Sequence, residues 1–370
     1  MELTVQKSDL LHELQLCQGI VERKNTIPIL GNVLLETNDD GKVRLLATDL
    51  EVGLRSQCPA SVARAGALTI PAKKLFEIVR ALPETEITIE AGAAGSVNLS
   101  AERFDSRMQT LPREDYPTLP DPGGDVAETV GREALRSMVT RTQFAITGED
   151  TRYFLNGALF VLKPQEMSLI ATDGHRLALA TASREGGDAG GEDVQAILPR
   201  KTLGELSRLL ATGEGDIRYT RGESHLFFEI DGRQLISRMI DAQFPAYERV
   251  IPTGNDNRVE FERDRMASAI RRVALLSSER SHAVKFQIAE SSAEVASSSP
   301  ELGEAKEVLP VDYGGADLEI CFNAQYVLDF LAVADTDSVT LELKDDRSQA
   351  VMYPSGEKEA YTYVIMPMRV

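Results

Sequence analysis

The chain has 370 residues, and its 40 basic and 58 acidic residues give a formal net charge of −18 at pH 7. Its apolar and charged fractions, 42% and 26%, are those of an ordinary globular protein, and its length allows two or three domains. A net charge this negative argues against nucleic-acid binding unless the basic residues are concentrated on one surface.

Cysteine and histidine usage excludes further classes of site. Cys17, Cys58 and Cys321 are widely separated without any C-x-x-C spacing, and the four histidines are scattered, so we expect no disulfide framework, no metal and no cofactor. The sequence contains no run of about 18 apolar residues that could span a membrane. Residues 1–7 are polar and alternating, unlike a signal peptide. We therefore expect no membrane partner and a cytoplasmic location.

The first third of the chain predicts a strand, a helix, a hairpin and a second helix. Residues 2–5 alternate like a strand, and Ser8-Asp9 offers an N-cap to a helix whose apolar residues recur with a period of 3.6. Residues 29–37 and 43–48 predict hairpin strands around a turn at 39–41. Residues 71–80 predict an amphipathic second helix, and strands close the unit.

The same order of elements returns twice. The helix over 71–80 has counterparts at 199–208 and 323–332, which lie 128 and then 124 positions further along the chain. The run LLATD at 45–49 likewise matches LIATD at 169–173. Further strands are expected at 127–130, 153–162, 167–172, 259–261, 283–289 and 293–297.

A repeat of this size exceeds the ~20–50 residues of a solenoid repeat and is the size of a small domain. We therefore predict an α+β fold of three similar domains, each with two helices and antiparallel sheets. The predicted domains span residues 1–121, 126–250 and 251–370.

Basic residues lie on the polar faces of the predicted helices, at equivalent places in different repeats. On a helical wheel Lys73 and Arg80 oppose Leu75, and the next copy of that helix carries two cations in the same places. One basic helix face is usually only a solvated surface. Repeated faces in an acidic chain would instead hold a phosphate backbone without reading bases. Both interpretations stay open at this point.

Four motifs carry a resemblance to a known family: TIPILGN at 26–32, RYFLNG at 152–157, ATDGHRL at 171–177 and YVIMPMRV at 363–370. With the triplication, they resemble the bacterial DNA polymerase III β subunit family, the sliding clamps, over the whole chain. The resemblance implies a DNA clamp fold and a homodimer closed head to tail as a six-domain ring around duplex DNA. It implies a non-catalytic processivity factor that tethers the replicative polymerase.

The resemblance also implies partners and three sets of site residues. The expected partners are duplex DNA of any sequence, a second copy of the chain, and short linear peptides of the DNA polymerase III α subunit, the clamp loader and other polymerases or repair proteins. DNA contacts are expected at Arg23, Lys24, Lys73, Arg80, Arg136, Arg141, Arg152, Tyr153, Lys201, Arg208, Arg271 and Arg272. The partner-peptide pocket is expected at Leu155, Thr172, Gly174, His175, Arg176, Leu177, Pro245, Arg249, Val250, Asn323, Tyr326, Val364, Met366, Pro367, Met368 and Arg369. The dimer interface is expected at Lys74, Arg103, Arg107, Met108, Leu275, Leu276, Glu301 and Glu304.

Two residues depart from the family's pattern. Glu149 places an acid where a DNA contact is expected, and Ser106 is polar where the family often has a larger apolar residue at the dimer interface. We expect the first to repel phosphate and the second to weaken the contact between subunits.

Two other functions compete with a clamp. A hydrolase or nuclease could use Asp173, His175 and Arg176 for acid–base chemistry, but no nucleophile motif, phosphate loop or metal spacing accompanies them. The other repeats preserve neither His175 nor Arg176, so we expect the repeated aspartate to serve a turn or cap. The second alternative is a protein-interaction scaffold that does not bind DNA.

Overall fold

The computed structural model describes residues 1–21, 26–38, 40–93, 95–123, 127–148, 151–184, 193–279 and 281–369. In these residues each third of the chain contains two α-helices and antiparallel strands in the predicted order, so the predicted α+β class is confirmed. The helices bury one face each: in the second helix Leu75 and Val79 are inaccessible to solvent, whereas Lys73 and Arg80 are exposed.

The bounds of the elements follow the chain. The first third contains β1 (Glu2–Gln6), α1 (Lys7–Ile20), β2 (Asn32–Thr37), β3 (Lys42–Thr48), β4 (Val52–Pro59), β5 (Ser61–Arg64), β6 (Gly66–Pro71), α2 (Ala72–Ala81), β7 (Glu86–Ala91), β8 (Ser96–Ala101) and β9 (Phe104–Gln109). The second contains β10 (Glu128–Val130), α3 (Arg132–Thr142), β11 (Gly157–Leu162), β12 (Glu166–Thr172), β13 (Arg176–Ser183), β14 (Val194–Pro199), α4 (Arg200–Leu210), β15 (Ile217–Arg221), β16 (His225–Ile230) and β17 (Arg233–Arg238). The third contains β18 (Asn257–Glu262), α5 (Arg263–Ala274), β19 (Ala283–Ala289), β20 (Ser292–Ser299), β21 (Gly303–Pro310), β22 (Leu318–Asn323), α6 (Ala324–Val333), β23 (Ser338–Leu343), β24 (Ala350–Pro354) and β25 (Tyr361–Ile365).

Two local predictions are wrong. Helix α1 begins at Lys7 without a side-chain cap, and the backbone N–H of Ser8 donates to Glu84 Oε1 at 3.1 Å, so Ser8-Asp9 is not its N-cap. Strands β2 and β11 begin later than predicted, because Pro28–Gly31 and Tyr153–Leu155 form single 3₁₀ turns. Proline has no N–H to donate to a strand ladder, which favours the turn at Pro28.

The chain divides into two compact units: Met1–Glu133 with Lys201–Met239, and Ala134–Arg200 with Ile240–Val370. Unit 1 contains a five-stranded sheet, β5-β1-β7-β8-β9, and an eight-stranded sheet, β10-β15-β16-β17-β4-β3-β2-β6. Unit 2 contains an eight-stranded sheet, β14-β11-β12-β13-β25-β24-β23-β18, and a four-stranded sheet, β21-β20-β19-β22. Both eight-stranded sheets combine strands of two repeats, so the division runs through the second repeat. The domain bounds read from the sequence stay a prediction.

Each eight-stranded sheet is continuous where two repeats meet. In unit 1, β4 pairs with β17 and places Gly53 opposite Ile236; we call this pairing and its surroundings the first junction. In unit 2, β13 pairs with β25 and places Leu177 opposite Val364; this is the second junction. Backbone hydrogen bonds across both junctions satisfy donors and acceptors that a free sheet edge would leave unpaired.

A buried ion pair reinforces the first junction. Arg233 of β17 donates from Nε and Nη2 to the two carboxylate oxygens of Glu13 in α1, at 2.9 and 2.5 Å. The side chains are only 18% and 4% exposed. Such a bidentate pair fixes the orientation of both groups as well as the distance between them.

Candidate binding surfaces

The loop after β12 is a compact turn built by Thr172 and Asp173. Thr172 Oγ1 accepts from Gly174 N–H and donates to Arg176 O, while Asp173 Oδ1 accepts from the backbone N–H groups of His175 and Arg176 at 2.9 and 3.0 Å. Gly174 has a φ of +87°, which glycine adopts without strain. The prediction that this aspartate serves a turn is confirmed.

This loop forms one wall of an apolar cavity of about 240 Å³ in unit 2. Leu177 of β13 and Val364 of β25 line it and also belong to the hydrophobic core cluster beneath it. The cavity is lined by Arg152, Phe154, Leu155, Thr172, Gly174, His175, Arg176, Leu177, Pro245, Tyr247, Val250, Val364 and Met366. A concave, mostly apolar site with a few polar groups is suited to bind an apolar side chain of a ligand.

Most of the predicted pocket residues meet in this cavity, but six do not line it. They are Arg249, Asn323, Tyr326, Pro367, Met368 and Arg369. Asn323 instead caps α6, since its Oδ1 accepts from the N–H groups of Gln325 and Tyr326. Met368 N–H donates to Cys321 O at 2.8 Å, which holds the C-terminal segment along β22.

Three lining residues were missed as pocket residues. Arg152 was expected to contact DNA, but its guanidinium lies beside the pocket loop and donates to Asp173 O at 3.3 Å. Phe154 and Tyr247 are partly buried against the core cluster. Phe154 lies within the RYFLNG motif, which was a usable signal, whereas nothing in the sequence around Tyr247 indicated that its ring would turn toward β13.

Arg176 was expected in the partner-peptide pocket, and the structure also gives it a role inside the fold. Its Nε, Nη1 and Nη2 donate to Asp173 Oδ2, Asp329 Oδ2 and Phe144 O at 3.0, 2.6 and 2.7 Å. The guanidinium lies 4.3 Å from the ring centroid of Tyr326 and 5.2 Å from that of Phe144. With its side chain 9% exposed, Arg176 joins the loop to helix α6 and is not a solvent-facing anchor.

Arg176 stays protonated in its buried position. Burial disfavours the charged form, but Tyr363, Asp329 and Asp173 outweigh that effect and raise the pKa of the Arg176 guanidinium. The group therefore remains a permanent cation whose field is largely cancelled by its two carboxylate neighbours.

Helix-borne cations are exposed at several predicted positions. Lys73, Lys74, Arg80, Arg136, Arg208, Arg271 and Arg272 are all solvent-exposed. Some of them share their charge with a neighbouring acid: Lys74 with Glu77 at 2.8 Å, and Arg272 with Glu307 at 2.6 Å. Hydrogen bonds from these cations lower the pKa values of both glutamates.

Two predicted DNA contacts are corrected. Arg141 is buried on α3, where it pairs with Asp335 and Glu357 at 2.9 and 3.0 Å and lies over the ring of Tyr361. Lys201 is half-buried and bonds Asp49 and the carbonyl of Ile20 in unit 1. Both charges are neutralised by carboxylates within the fold, so neither is the exposed helix cation that was predicted.

Other predicted contacts have different outcomes. Tyr153 is 57% exposed, as expected of a loop contact. Glu205 of α4 is buried beside Gly19 and Arg208 in unit 1, and burial raises its pKa. Arg23, Lys24 and Glu149 lie outside the described residues.

Five of the eight predicted dimer residues lie in or beside two edge strands, whereas Lys74 is in α2 and Leu275 and Leu276 follow α5. In unit 1, β9 is an edge strand of the five-stranded sheet, and it carries Arg107 and Met108, next to Arg103. In unit 2, β21 is an edge strand of the four-stranded sheet; it carries Glu304, and Glu301 precedes it.

Apolar side chains accompany both edges. Leu275 at the end of α5 is 76% exposed and Val308 of β21 is 60% exposed in unit 2, while Phe104 of β9 is 39% exposed in unit 1. Leu276 is half-buried. A strand edge with unpaired backbone groups and exposed apolar side chains is a template for pairing with another chain.

The described residues contain no group of three or more acidic, histidine or cysteine side chains placed to hold a metal ion. No helix in that part of the chain is both long and apolar enough to cross a membrane.

Repeated α+β domains, a peptide-sized apolar pocket and cations at equivalent helix positions together define a binding scaffold. Models of the N-terminal, central and C-terminal domains of the DNA polymerase III beta subunit match residues 1–120, 129–246 and 248–369. The chain therefore belongs to the DNA polymerase III beta subunit family, the sliding clamps, which are processivity factors without a catalytic centre.

Full-length relatives agree with this assignment. The chain is 37% identical to the beta sliding clamp of Pseudomonas putida and 35% identical to that of Escherichia coli K12, covering 100% of both partners in each comparison. The crystal structure of the DNA polymerase III subunit beta from Pseudomonas aeruginosa, 35% identical, superposes with a TM-score of 0.94 over 100% of both chains. These matches confirm the predicted family, the three-domain clamp fold and the non-enzymatic role.

Proposed function

We propose that two copies of this chain close head to tail into a six-domain ring around duplex DNA and tether the replicative polymerase to it. The observation that carries the proposal is the placement of exposed cations on helices of all three repeats in a chain whose net charge is −18. Topological closure requires no tight contact, so electrostatic and sequence-independent binding is sufficient and allows sliding.

The cations proposed to face DNA are Lys73, Arg80, Arg136, Arg208, Arg271 and Arg272, with Tyr153 on a loop. Their acidic neighbours support a weak contact. Glu77 lies 3.9 Å from Lys73 and Glu307 lies 2.6 Å from Arg272, so at these two cations a phosphate competes with a carboxylate for the same donor. The remaining acidic surface would repel DNA from other faces.

The ring is proposed to close between the β9 edge of one copy and the β21 edge of the other. Arg103 and Arg107 are basic and Glu301 and Glu304 acidic, so the two edges are complementary in charge. Leu275 supplies an apolar anchor at 76% exposure. A head-to-tail contact of this kind closes a ring when its rotation fits and needs no self-complementary patch.

The pocket of unit 2 is proposed to bind short linear peptides of the DNA polymerase III α subunit, the clamp loader and other polymerases or repair proteins. Its lining of leucine, valine, proline and methionine is apolar, and methionine adapts its shape to different side chains. A crystal structure of the Pseudomonas aeruginosa clamp bound to griselimycin, 35% identical to this chain, supports ligand binding within the family.

A cytoplasmic location at the replication fork follows from the same proposal. It is supported by three free cysteines, two of them buried, which suit a reducing compartment.

The test is retention on DNA of different topology. The protein is loaded with the host clamp loader onto nicked circular plasmid and passed over a sizing column before and after linearisation. A clamp stays on the circle and leaves the linear form at the same salt concentration. Retention that depends on salt but not on topology would indicate an ordinary DNA-binding protein, and absence of retention would favour the scaffold without DNA.

A further inference from the structure

The two junctions are built on one plan. Read from β6, the unit 1 sheet runs β6-β2-β3-β4-β17-β16-β15-β10, and the unit 2 sheet runs β14-β11-β12-β13-β25-β24-β23-β18 with equivalent strands in the same places. The pairings across each junction make Gly53 equivalent to Leu177, and Ile236 equivalent to Val364.

The turns beside the junctions are also equivalent in their hydrogen bonds. Thr48 Oγ1 accepts from Leu50 N–H and donates to Val52 O, as Thr172 does in its own loop. Asp49 Oδ1 accepts from Glu51 and Val52 N–H at 2.9 and 2.7 Å. Leu50 has a φ of +80°, close to that of Gly174.

The space over the paired strands differs between the two junctions. Over Leu177 and Val364 it is the cavity of unit 2. Over Gly53 and Ile236 it is filled by Leu119, which is 7% exposed and clusters with Ile236 and Phe227. A Cβ built on Gly53 would lie 2.9 Å from Leu119 Cδ2, so the glycine makes room for this side chain.

Hydrogen bonds and an ion pair hold the segment that carries Leu119 in place. Arg55 of β4 donates to Leu119 O at 2.7 Å and pairs with Asp121 at 2.7 Å. Tyr116 donates from its hydroxyl to Leu46 O at 2.8 Å. By register, the counterpart of Arg55 in β13 is Leu179, which cannot donate such hydrogen bonds, and Tyr247 and Val250 pack against the core cluster there.

We propose that the first junction is a latent second pocket which the chain fills with its own Leu119, and that Leu119 thereby limits each chain to one partner peptide. This rests on the proposed peptide-binding role of the unit 2 pocket. The ligand class is the same in both places: a short extended segment that presents a leucine side chain to two paired strands. The segment 115–121 is thus an internal example of such a ligand.

The probe is the acetylated and amidated peptide of residues 115–121, DYPTLPD, together with its leucine-to-alanine form. In the wild-type protein we expect the leucine peptide to shift the methyl resonance of Met366 and to bind once per chain by calorimetry. The alanine peptide should bind at least tenfold more weakly. A leucine peptide that leaves Met366 unshifted at millimolar concentration overturns the proposal.

The triple variant Leu119→Ala, Arg55→Ala and Tyr116→Phe, which also removes the hydrogen bonds that hold the segment over the junction, should bind two leucine peptides per chain. Leu111→Ala, at a residue already 37% exposed, should bind one. A folded triple variant that still binds one peptide overturns the proposal; should the variant not fold, the wild-type measurement decides.

A clamp-loader peptide separates this inference from the proposed function. If it shifts Met366 while DYPTLPD does not, only the latent pocket is refuted. If it binds without shifting Met366, the proposed peptide pocket itself is refuted.

Discussion

Arg176 donates from Nη1 to Asp329 Oδ2 at 2.6 Å, and this bond joins the loop that forms one pocket wall to helix α6. The wall of the pocket is therefore shaped by a residue 153 positions away that does not line it. We expect Asp329 to act as a positioning residue for peptide binding.

Replacing Asp329 by alanine should weaken peptide binding about tenfold, because it leaves the buried Arg176 charge half-compensated and lets the loop shift. Loss of a hydrogen bond to a charged group should also cost about 1.5–3 kcal/mol of stability. Titration with a labelled loader peptide and thermal unfolding test this together. Asp346→Ala, at an exposed ion pair with Arg347, is the control and should change neither. Unchanged peptide affinity in a destabilised Asp329→Ala protein would show a purely structural role.

Removal of the Glu13 carboxylate should destabilise unit 1 strongly. Breaking a buried pair leaves Arg233 uncompensated, which typically costs about 3–5 kcal/mol. Glu13→Ala should therefore lower the unfolding midpoint by far more than Glu2→Ala, whose carboxylate lies 3.8 Å from Arg64 at the surface. Equal midpoints for the two variants, measured in urea, would contradict a structural role for the Glu13–Arg233 pair.

The double substitution Leu275→Ala with Leu276→Ala should convert the dimer to monomers, since it removes the apolar anchor of the proposed ring contact. Light scattering at micromolar concentration gives the mass directly. Leu50→Ala, which removes a side chain 50% exposed in unit 1, is the matched control and should stay dimeric. A dimeric mass for the double variant would rule out this placement of the interface.

Two arginines on α3 should respond in opposite ways. A plot of log affinity for DNA against log salt concentration has a negative slope. Arg136→Ala should make this slope less negative by about one, as expected for one lost phosphate contact. Arg141→Ala should leave that slope unchanged and lower the melting temperature, because Arg141 is buried between Asp335 and Glu357. Salt titrations of duplex binding measure the slope for both variants, and thermal unfolding measures the melting temperature. A changed slope for Arg141→Ala would show that Arg141 contacts DNA after all.

Alkaline pH should destabilise the fold through its buried thiols. Burial raises the pKa of Cys58 from its ordinary value of 9.0 to about 12, and burial likewise raises the pKa of Cys17. The unfolded chain can ionise this thiol above about pH 9, whereas the folded protein keeps it protonated until about pH 12. The stability that the protonated thiol allows is therefore complete below about pH 9 and is lost as pH rises from 9 toward 12. Cys58→Ala should show a shallower fall of the melting temperature over this range than the wild type. An identical fall in both proteins would refute the assignment to Cys58.

Sequence periodicity was sufficient for the architecture, and the family resemblance supplied most of the residues that line the pocket. The repeated helices fall where their apolar spacing predicts, and the ATDGHRL motif does form a pocket wall, since Thr172 and Asp173 build their turn with neighbours only two to four positions away. Local hydrogen bonding of this kind can be read from a short stretch of sequence.

Residues whose partners are distant were misread. Arg141 lies on the side of its helix that looked polar, yet Asp335 and Glu357, 194 and 216 positions away, cover and neutralise it. Arg176 was expected only as a pocket residue, because nothing near it in the chain shows that Asp329 would be its partner. The N-cap assigned to Ser8-Asp9 failed for the same reason, since Glu84 lies 76 positions from Ser8.

The sequence by itself determined the triplicated α+β plan and most of the helix faces that carry positive charge, because these depend on periodicity, and its four motifs indicated the family. Only the tertiary structure decided which cations remain available to solvent, which wall residues are held by α6, and that Leu119 fills one of two equivalent junctions. The physical reason is that charge neutralisation and cavity filling depend on groups brought together by the sheets, at separations along the chain that a local pattern does not encode.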